Sequence, residues 1–298
     1  MRILVTGPTG QVGWELVRSL TPVGEVIAVD RTRCDLSRPD TIAPVVRELR
    51  PTVIVNAAAY TAVDKAESEE ALATTINGTS VGVLAQEAKR AGALLVHYST
   101  DYVFDGTKSG PYVEEDAPNP LNAYGRSKLA GELAIREVDG AHLILRTSWV
   151  YAARGNNFVR TILRLARERE ELNIVADQTG APTSACLIAK ATASLLSRVE
   201  RAHIAETIAV GTYHLTAAGY TSWHGFAQAI LEHAARHGLL ETAHLPCIRS
   251  IPASAYPVPA MRPANSRLDC LRIRDQIDFN LPDWRHALKH VIREIANH

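Results

Sequence analysis

Arg2-Ile-Leu-Val-Thr6 followed by Gly7-Pro-Thr-Gly10-Gln-Val-Gly13 decides the fold. A short aliphatic run passes directly into a glycine turn, and the turn opens a helix beginning near Gln11. Such a junction binds phosphate. One glycine permits the tight turn, another lets backbone approach a pyrophosphate, and a third lets helix lie close to strand. Free N–H groups at the helix N-terminus then face the anion. The spacing is GxxGxxG and not the GxGxxG of simple dehydrogenases. Position between strand and helix therefore marks Gly7, Gly10, Gln11, Val12 and Gly13 as a dinucleotide cradle.

Outward from this turn, short β-branched runs alternate with helical patterns, the signature of βαβ units and a parallel sheet covered on both faces. Strands are expected at Ile3 to Thr6, Val26 to Asp30, Val53 to Ala58, Leu94 to Ser99 and Leu143 to Ser148. Ile42, Val45, Val46 and Leu49 recur at helical spacing, with Pro39 in the first turn. The predicted fold class is α/β, a doubly wound parallel Rossmann-type sheet with a smaller, partly helical C-terminal substrate domain. Residues 1–150 would form the dinucleotide-binding domain and 151–298 the substrate domain, with some later segments returning to the sheet. In that second part a strand is expected at Leu172 to Ala176 and a helix at Ser184 to Val199. A short strand at Tyr213 to Thr216 precedes a helix capped by Ser222, and a last helix follows Pro282.

Composition narrows the partners. The chain has 298 residues, with Lys+Arg 32 balancing Asp+Glu 32, so the basic excess that nucleic acid or an anionic membrane demands is missing. No apolar stretch approaches the roughly 20 residues of a membrane span, and no export signal precedes Ile3. Cys34, Cys186, Cys247 and Cys270 lie far apart without a CxxC pair, which points to reduced thiols in the cytoplasm and to no metal site.

The second chemical signal is Tyr124 with Lys128 in Asn122-Ala-Tyr-Gly-Arg-Ser-Lys128, a helical stretch after the fourth strand. Spacing of four places both side chains on one face. A phenol is a weak proton donor at neutral pH, and a neighbouring ammonium stabilises phenolate, drawing its pKa toward the working range. Beside a nicotinamide, Tyr124 would deliver a proton to a carbonyl oxygen as hydride reaches the carbon, and Thr100 would hydrogen-bond the same oxygen. At the end of the second strand, Asp30 lies 23 residues beyond Gly7, close to the spacing of an acid on the ribose of NAD. Arg31 and Arg33 follow and would suit the extra phosphate of NADP, so both NADPH and NADH remain open. His97, inside a buried strand, reads as a core residue. Trp149 reads either as packing or as a sugar platform, and Asp101 either orients sugar hydroxyls or caps a loop.

The glycine turn, Asn56-Ala-Ala-Ala59, Ser99-Thr100 and Tyr124-xxx-Lys128 together resemble the extended short-chain dehydrogenase/reductase superfamily. Val55 to Glu67, Ser99-Thr-Asp-Tyr-Val-Phe-Asp-Gly106, Asp177-Gln-Thr-Gly-Ala-Pro-Thr183 and Arg262-Pro-Ala-Asn-Ser-Arg-Leu268 are similar to the dTDP-4-dehydrorhamnose reductase family. The resemblance spans nearly the whole chain. It implies catalytic Thr100, Tyr124 and Lys128. It implies cofactor contacts from Gly7, Gly10, Gln11, Val12, Gly13, Asp30, Arg31, Asp35, Leu36, Ala57, Ala58, Ala59, Tyr124 and Lys128. Substrate contacts would come from Asp101, Tyr102, Trp149 and Arg267. The substrate would be a dTDP-linked 4-keto-6-deoxyhexose, reduced at C4. Alternatives are another 4-keto deoxysugar, or a non-catalytic regulatory homologue. Some members of the family pair through acidic side chains and a divalent cation, and Glu15 matches one such position. Ser184-Ala-Cys-Leu187 lacks an acidic pair, so a monomer or a weak homodimer is expected.

Overall fold

The computed structural model describes residues 1–201 and 210–297. In it β1 (Arg2–Thr6), β2 (Glu25–Val29), β3 (Val53–Asn56), β4 (Leu94–Thr100) and β5 (His142–Thr147) form a parallel sheet in the order β2-β1-β3-β4-β5. Gly211–His214 adds a sixth parallel strand beyond β5. The order reverses between β1 and β3, and open α/β sheets take their ligands in such a crevice, at the carboxyl ends of the strands.

Strand periodicity divides the core in two. Ile3, Val5, Val53, Val55, Leu94, Val96, Leu143 and Leu145 belong to one buried cluster, and the intervening Leu4, Ile54, Leu95 and Ile144 to the other. Among the covering helices are α1 (Gln11–Leu20), α2 (Ile42–Leu49), α3 (Val63–Ala66), α4 (Glu70–Thr74), α5 (Ser80–Ala91), α6 (Ala123–Val138), α7 (Phe158–Glu168) and α8 (Ala185–Arg201). α1, α7 and α8 pack on the first face with helices Trp223–Arg236 and Trp284–Ala296, while α2, α5 and α6 cover the second. Each fully buried Leu, Ile or Val contributes about 1.5–3 kcal/mol by leaving water.

Helix starts follow local chemistry. Asn122 Oδ1 accepts from Gly125 N at 2.8 Å and fixes the start of α6, while Ser222 Oγ accepts from Gly225 N at 3.1 Å, as its sequence suggested. Pro39 begins a short 3₁₀ turn, Pro39–Thr41, one step ahead of α2. β3 ends at Asn56, short of the expected Ala58, where its amide hydrogen-bonds sideways and the chain leaves the sheet.

In the second half, Thr179–Gly180 pairs with Asn265–Ser266 and with Thr221–Ser222. The stretches Asp177–Thr183 and Arg262–Leu268 therefore lie side by side although some 80 residues separate them. Glu171–Val175 and Cys247–Ile251 make another parallel pair. Among the described residues no helix is long and apolar enough to cross a membrane.

Candidate active site

Gly7 has φ +67°, a left-handed conformation that glycine adopts without strain. A Cβ there would stand 2.8 Å from the backbone of Ala58, so the turn and Ala57–Ala59 close on each other across the crevice. A Cβ on Gly13 would run into the Gly7 carbonyl. Gly10 stands at the N-cap of α1 and offers no side-chain cap, which leaves the first helical N–H groups for an anion. The cradle thus fits a dinucleotide pyrophosphate on its own geometry. Gln11 Oε1 accepts from Asn157 Nδ2 at 2.8 Å, which ties the start of α1 to the segment ahead of α7.

At the end of β2, Asp30 Oδ1 accepts from both Thr32 N at 3.0 Å and Thr32 Oγ1 at 2.5 Å, and these bonds hold its carboxyl below the usual range. Arg33 is committed to Glu48 at 2.7 Å, whereas the more exposed Arg31 leans on Asp35 at 3.3 Å. Leu36 is buried, and its carbonyl accepts from Ser80 Oγ at 2.6 Å.

Thr100, Asp101, Tyr102 and Tyr124 meet at the carboxyl end of β4. Thr100 Oγ1 donates to Asp101 Oδ1 at 3.0 Å and accepts from Tyr102 N at 3.2 Å. The Tyr102 and Tyr124 rings meet edge to face, with centroids 5.8 Å apart. Burial and the Asp101 carboxylate push the Tyr124 phenol above its ordinary value, and the Thr100 hydroxyl acts in the opposite sense. The phenol is therefore kept protonated at neutral pH. Burial likewise lifts Asp101 to about 7, opposed by Ser266 and Thr100.

That shift has a defined sign. A carboxyl raised in the folded state binds more protons than its unfolded counterpart between the ordinary value near 4 and about 7, so stability is lost as pH rises through that window. Asp101→Asn removes this slope. Melting temperatures of the two proteins compared from pH 4 to pH 8 test it, and parallel curves would exclude the raised carboxyl.

Lys128 is buried on α6, one turn from Tyr124. Its Nζ donates to Tyr98 O at 2.6 Å and lies 3.1 Å from His97 Nε2. Burial pushes the ammonium down to about 8, with Glu132 opposing. Its charge does not outweigh burial at Tyr124, so the downward pull on the phenol expected from spacing is not the dominant effect.

Trp149 has φ +48° and stacks on Trp223 with centroids 3.6 Å apart; a Cβ on Gly180 would meet the indole 2.6 Å away. Trp223 thus covers one face of the indole, and the Gly180 backbone lies against its five-membered side. Arg267 Nε donates to Asn265 Oδ1 at 2.8 Å and its Nη2 to Ser109 O at 2.5 Å, so it holds the strand beside the crevice to the 108–110 loop. Glu15 is raised by burial and by Glu294, against Arg18, Arg154 and Lys190. Among the described residues no group of three His, Cys, Asp or Glu side chains gathers to hold a metal.

Sequence reasoning missed Asn77. It accepts from Tyr60 N at 2.9 Å and donates to Tyr60 O at 3.0 Å and Ser127 Oγ at 2.9 Å, which fixes the chain just beyond Ala57–Ala59 against α6. Its signal was an Asn-Gly pair inside a helical stretch, where Thr75–Thr79 forms a π turn. Arg262 was quoted within a motif but given no role. It grips Asp64 through two bonds of 2.9 and 2.7 Å and ties the proline-rich segment to the nucleotide half.

The parallel sheet, the glycine crevice and the Thr100, Tyr124 and Lys128 arrangement define a member of the extended short-chain dehydrogenase/reductase superfamily. Within it, the chain belongs to the family described as the RmlD substrate binding domain, whose profile matches residues 1–297. It is 56% identical to dTDP-4-dehydrorhamnose reductase of Burkholderia thailandensis over the full length of both chains. It is 48% identical to the protein of that name from Escherichia coli K12, covering 99% of this chain and 98% of that one. Among solved structures, dTDP-4-dehydrorhamnose reductase of Bacillus anthracis in complex with NADP superposes with a TM-score of 0.85 at 35% identity, over 98% of this chain and 99% of the other. UDP-glucose 4-epimerase of Thermus thermophilus, solved with NAD, shares the fold with a TM-score of 0.78 at 20% identity, over 100% and 99% of the chains.

Proposed function

We propose that this chain reduces the C4 ketone of dTDP-4-dehydro-L-rhamnose to dTDP-L-rhamnose, using NADPH or NADH. The reading is carried by the meeting of Thr100 and Tyr124, one turn from Lys128, in a chain 56% identical throughout to a dTDP-4-dehydrorhamnose reductase. Gly7, Gly10 and the start of α1 would hold a dinucleotide whose reduced nicotinamide would supply the hydride for C4. Tyr124 gives its phenolic proton to the ketone oxygen as the new C–H bond forms, leaving a secondary alcohol and a phenolate. Lys128 stabilises that phenolate with its ammonium, and the phenol regains its proton from solvent. Thr100 orients the carbonyl oxygen. Asp101, Tyr102, Trp149 and Arg267 line the sugar nucleotide side.

The protein is assigned to the cytoplasm as a monomer or weak homodimer. Residues 1–150 are assigned to the cofactor and 151–298 to the nucleotide sugar, with Gly211–His214 lent back to the sheet. Absorbance of NADPH and NADH, followed separately with freshly generated keto sugar, tests the reaction. No turnover with either cofactor overturns it. Because Arg33 is held by Glu48, Arg31 is the guanidinium left for a 2′-phosphate. Arg31→Ala should raise KM for NADPH about tenfold, the loss of one charge-assisted hydrogen bond, and leave NADH unchanged. An equal effect on both cofactors would remove Arg31 from that role.

A further inference from the structure

His97 and Asn56 are fully buried, and neither touches the ligand side of the crevice in the reaction above. Both ring nitrogens of His97 are nonetheless engaged. Nδ1 lies 3.1 Å from the Asn56 amide and Nε2 lies 3.1 Å from Lys128 Nζ, while the Asn56 amide reaches Thr6 Oγ1 at 2.6 Å. Thr6 and Asn56 are register partners on β1 and β3, and Asn56 and His97 on β3 and β4. A line of side chains therefore crosses the sheet beneath the crevice, from the strand that feeds the glycine turn to the lysine.

We infer that His97 is a positioning residue for Lys128: a neutral imidazole, protonated at Nδ1 and accepting at Nε2, whose tautomer is set by the lysine ammonium and backed by the Asn56 amide. The inference rests on the reading of Lys128 as the charged partner of Tyr124. A lysine ammonium has three protons and no acceptor site. Tyr98 O takes one proton and His97 Nε2 the second, which leaves the third for the crevice. Since a charged Nζ cannot accept, Nε2 must carry the lone pair and Nδ1 the hydrogen. The Nδ1–H then needs an oxygen. The Asn56 amide turns Nδ2 toward His97 and Oδ1 toward Thr6, the polarity of an uncharged lysine. A charged Lys128 requires the reverse orientation, which fills the same space, with Oδ1 facing His97 and Nδ2 donating to Thr6 Oγ1.

Charge around the lysine agrees. Burial and the Lys128 charge hold His97 well below its ordinary value, so the ring stays neutral. On α6, Tyr124 lies one turn before Lys128 and Glu132 one turn after, and Glu132 is bound to Arg146 of β5 and to Arg136. Asp101, beyond β4, acts on Tyr124. Glu132 opposes the effect of burial on the ammonium, and the Tyr98 carbonyl and His97 are the acceptors that lie within hydrogen-bond reach of it.

The test pairs two substitutions. His97→Asn keeps a polar group near Nδ1 and removes the acceptor from Lys128. The alkaline limb of kcat, expected near pH 8 as Lys128 deprotonates, should move down by about one unit. His97→Gln sets an oxygen near the place of Nε2 and should leave the limb within about 0.3 unit of the parent. A packing role would lower stability in both variants without moving the limb. An unmoved limb in His97→Asn, or equal shifts in both, overturns the proposal. Should either variant fail to fold, ¹⁵N–¹H spectra of the imidazoles in the unmodified protein with NADP⁺ decide. An Nδ1–H tautomer for His97 between pH 6 and 7.5 supports the assignment, and an Nε2–H tautomer overturns it. Absence of reductase activity would defeat the functional reading, while those spectra would still judge His97.

Discussion

Tyr124→Phe should lose about 10²–10⁴-fold in kcat, the usual contribution of a positioned general acid. Its dinucleotide affinity should stay within about threefold of the parent, well under the roughly 1.4 kcal/mol that a tenfold change represents. The substitution removes one hydroxyl and keeps the ring, so the edge-to-face contact with Tyr102 survives. Fluorescence titration with NADPH and initial rates with the keto sugar separate the two effects. A variant that keeps most of its rate would show that the proton comes from elsewhere, with Asp101, held at about 7, the nearest other candidate.

Arg146→Met should be the most destabilising single change near the site. Arg146 meets Glu132 through bonds of 2.8 and 2.7 Å, with both side chains buried between β4, β5 and α6. Glu132 also accepts from Ser99 Oγ at 2.6 Å and from Arg136 at 3.0 Å. Removing Arg146 strands much of a buried carboxylate's charge, a cost of about 3–5 kcal/mol for pairs of this kind. At this chain length the melting temperature would fall by roughly 10 °C. The double variant Glu132→Leu with Arg146→Met removes both charges and should recover most of the loss. Calorimetry distinguishes the cases, and a single-variant cost below about 1 kcal/mol would mean that water or Arg136 compensates.

The sequence made the first half legible because its signals are local. A strand that runs into Gly7 and a helix that starts at Gln11 are specified by neighbours in the chain, and the structure places both there. Thr100 and Tyr124 came together because one ends a strand and the other opens the following helix. The line from Thr6 through Asn56 to His97 could not be read in the same way. Its members are 50 and 41 residues apart, and they meet because β3 lies between β1 and β4, a lateral order no local pattern encodes. Trp149 shows a related gap. Its aromatic character was visible, but the Trp223 indole stacked on it lies more than 70 residues away.

The sixth strand, Gly211–His214, has a consequence for biogenesis. Until a ribosome has made more than two thirds of the chain, β5 has no partner on its outer side and presents unpaired N–H and C=O groups to the surroundings. Truncation before residue 211 is therefore expected to leave that edge open and to favour aggregation over a free-standing nucleotide module, which light scattering of the truncated chain would show.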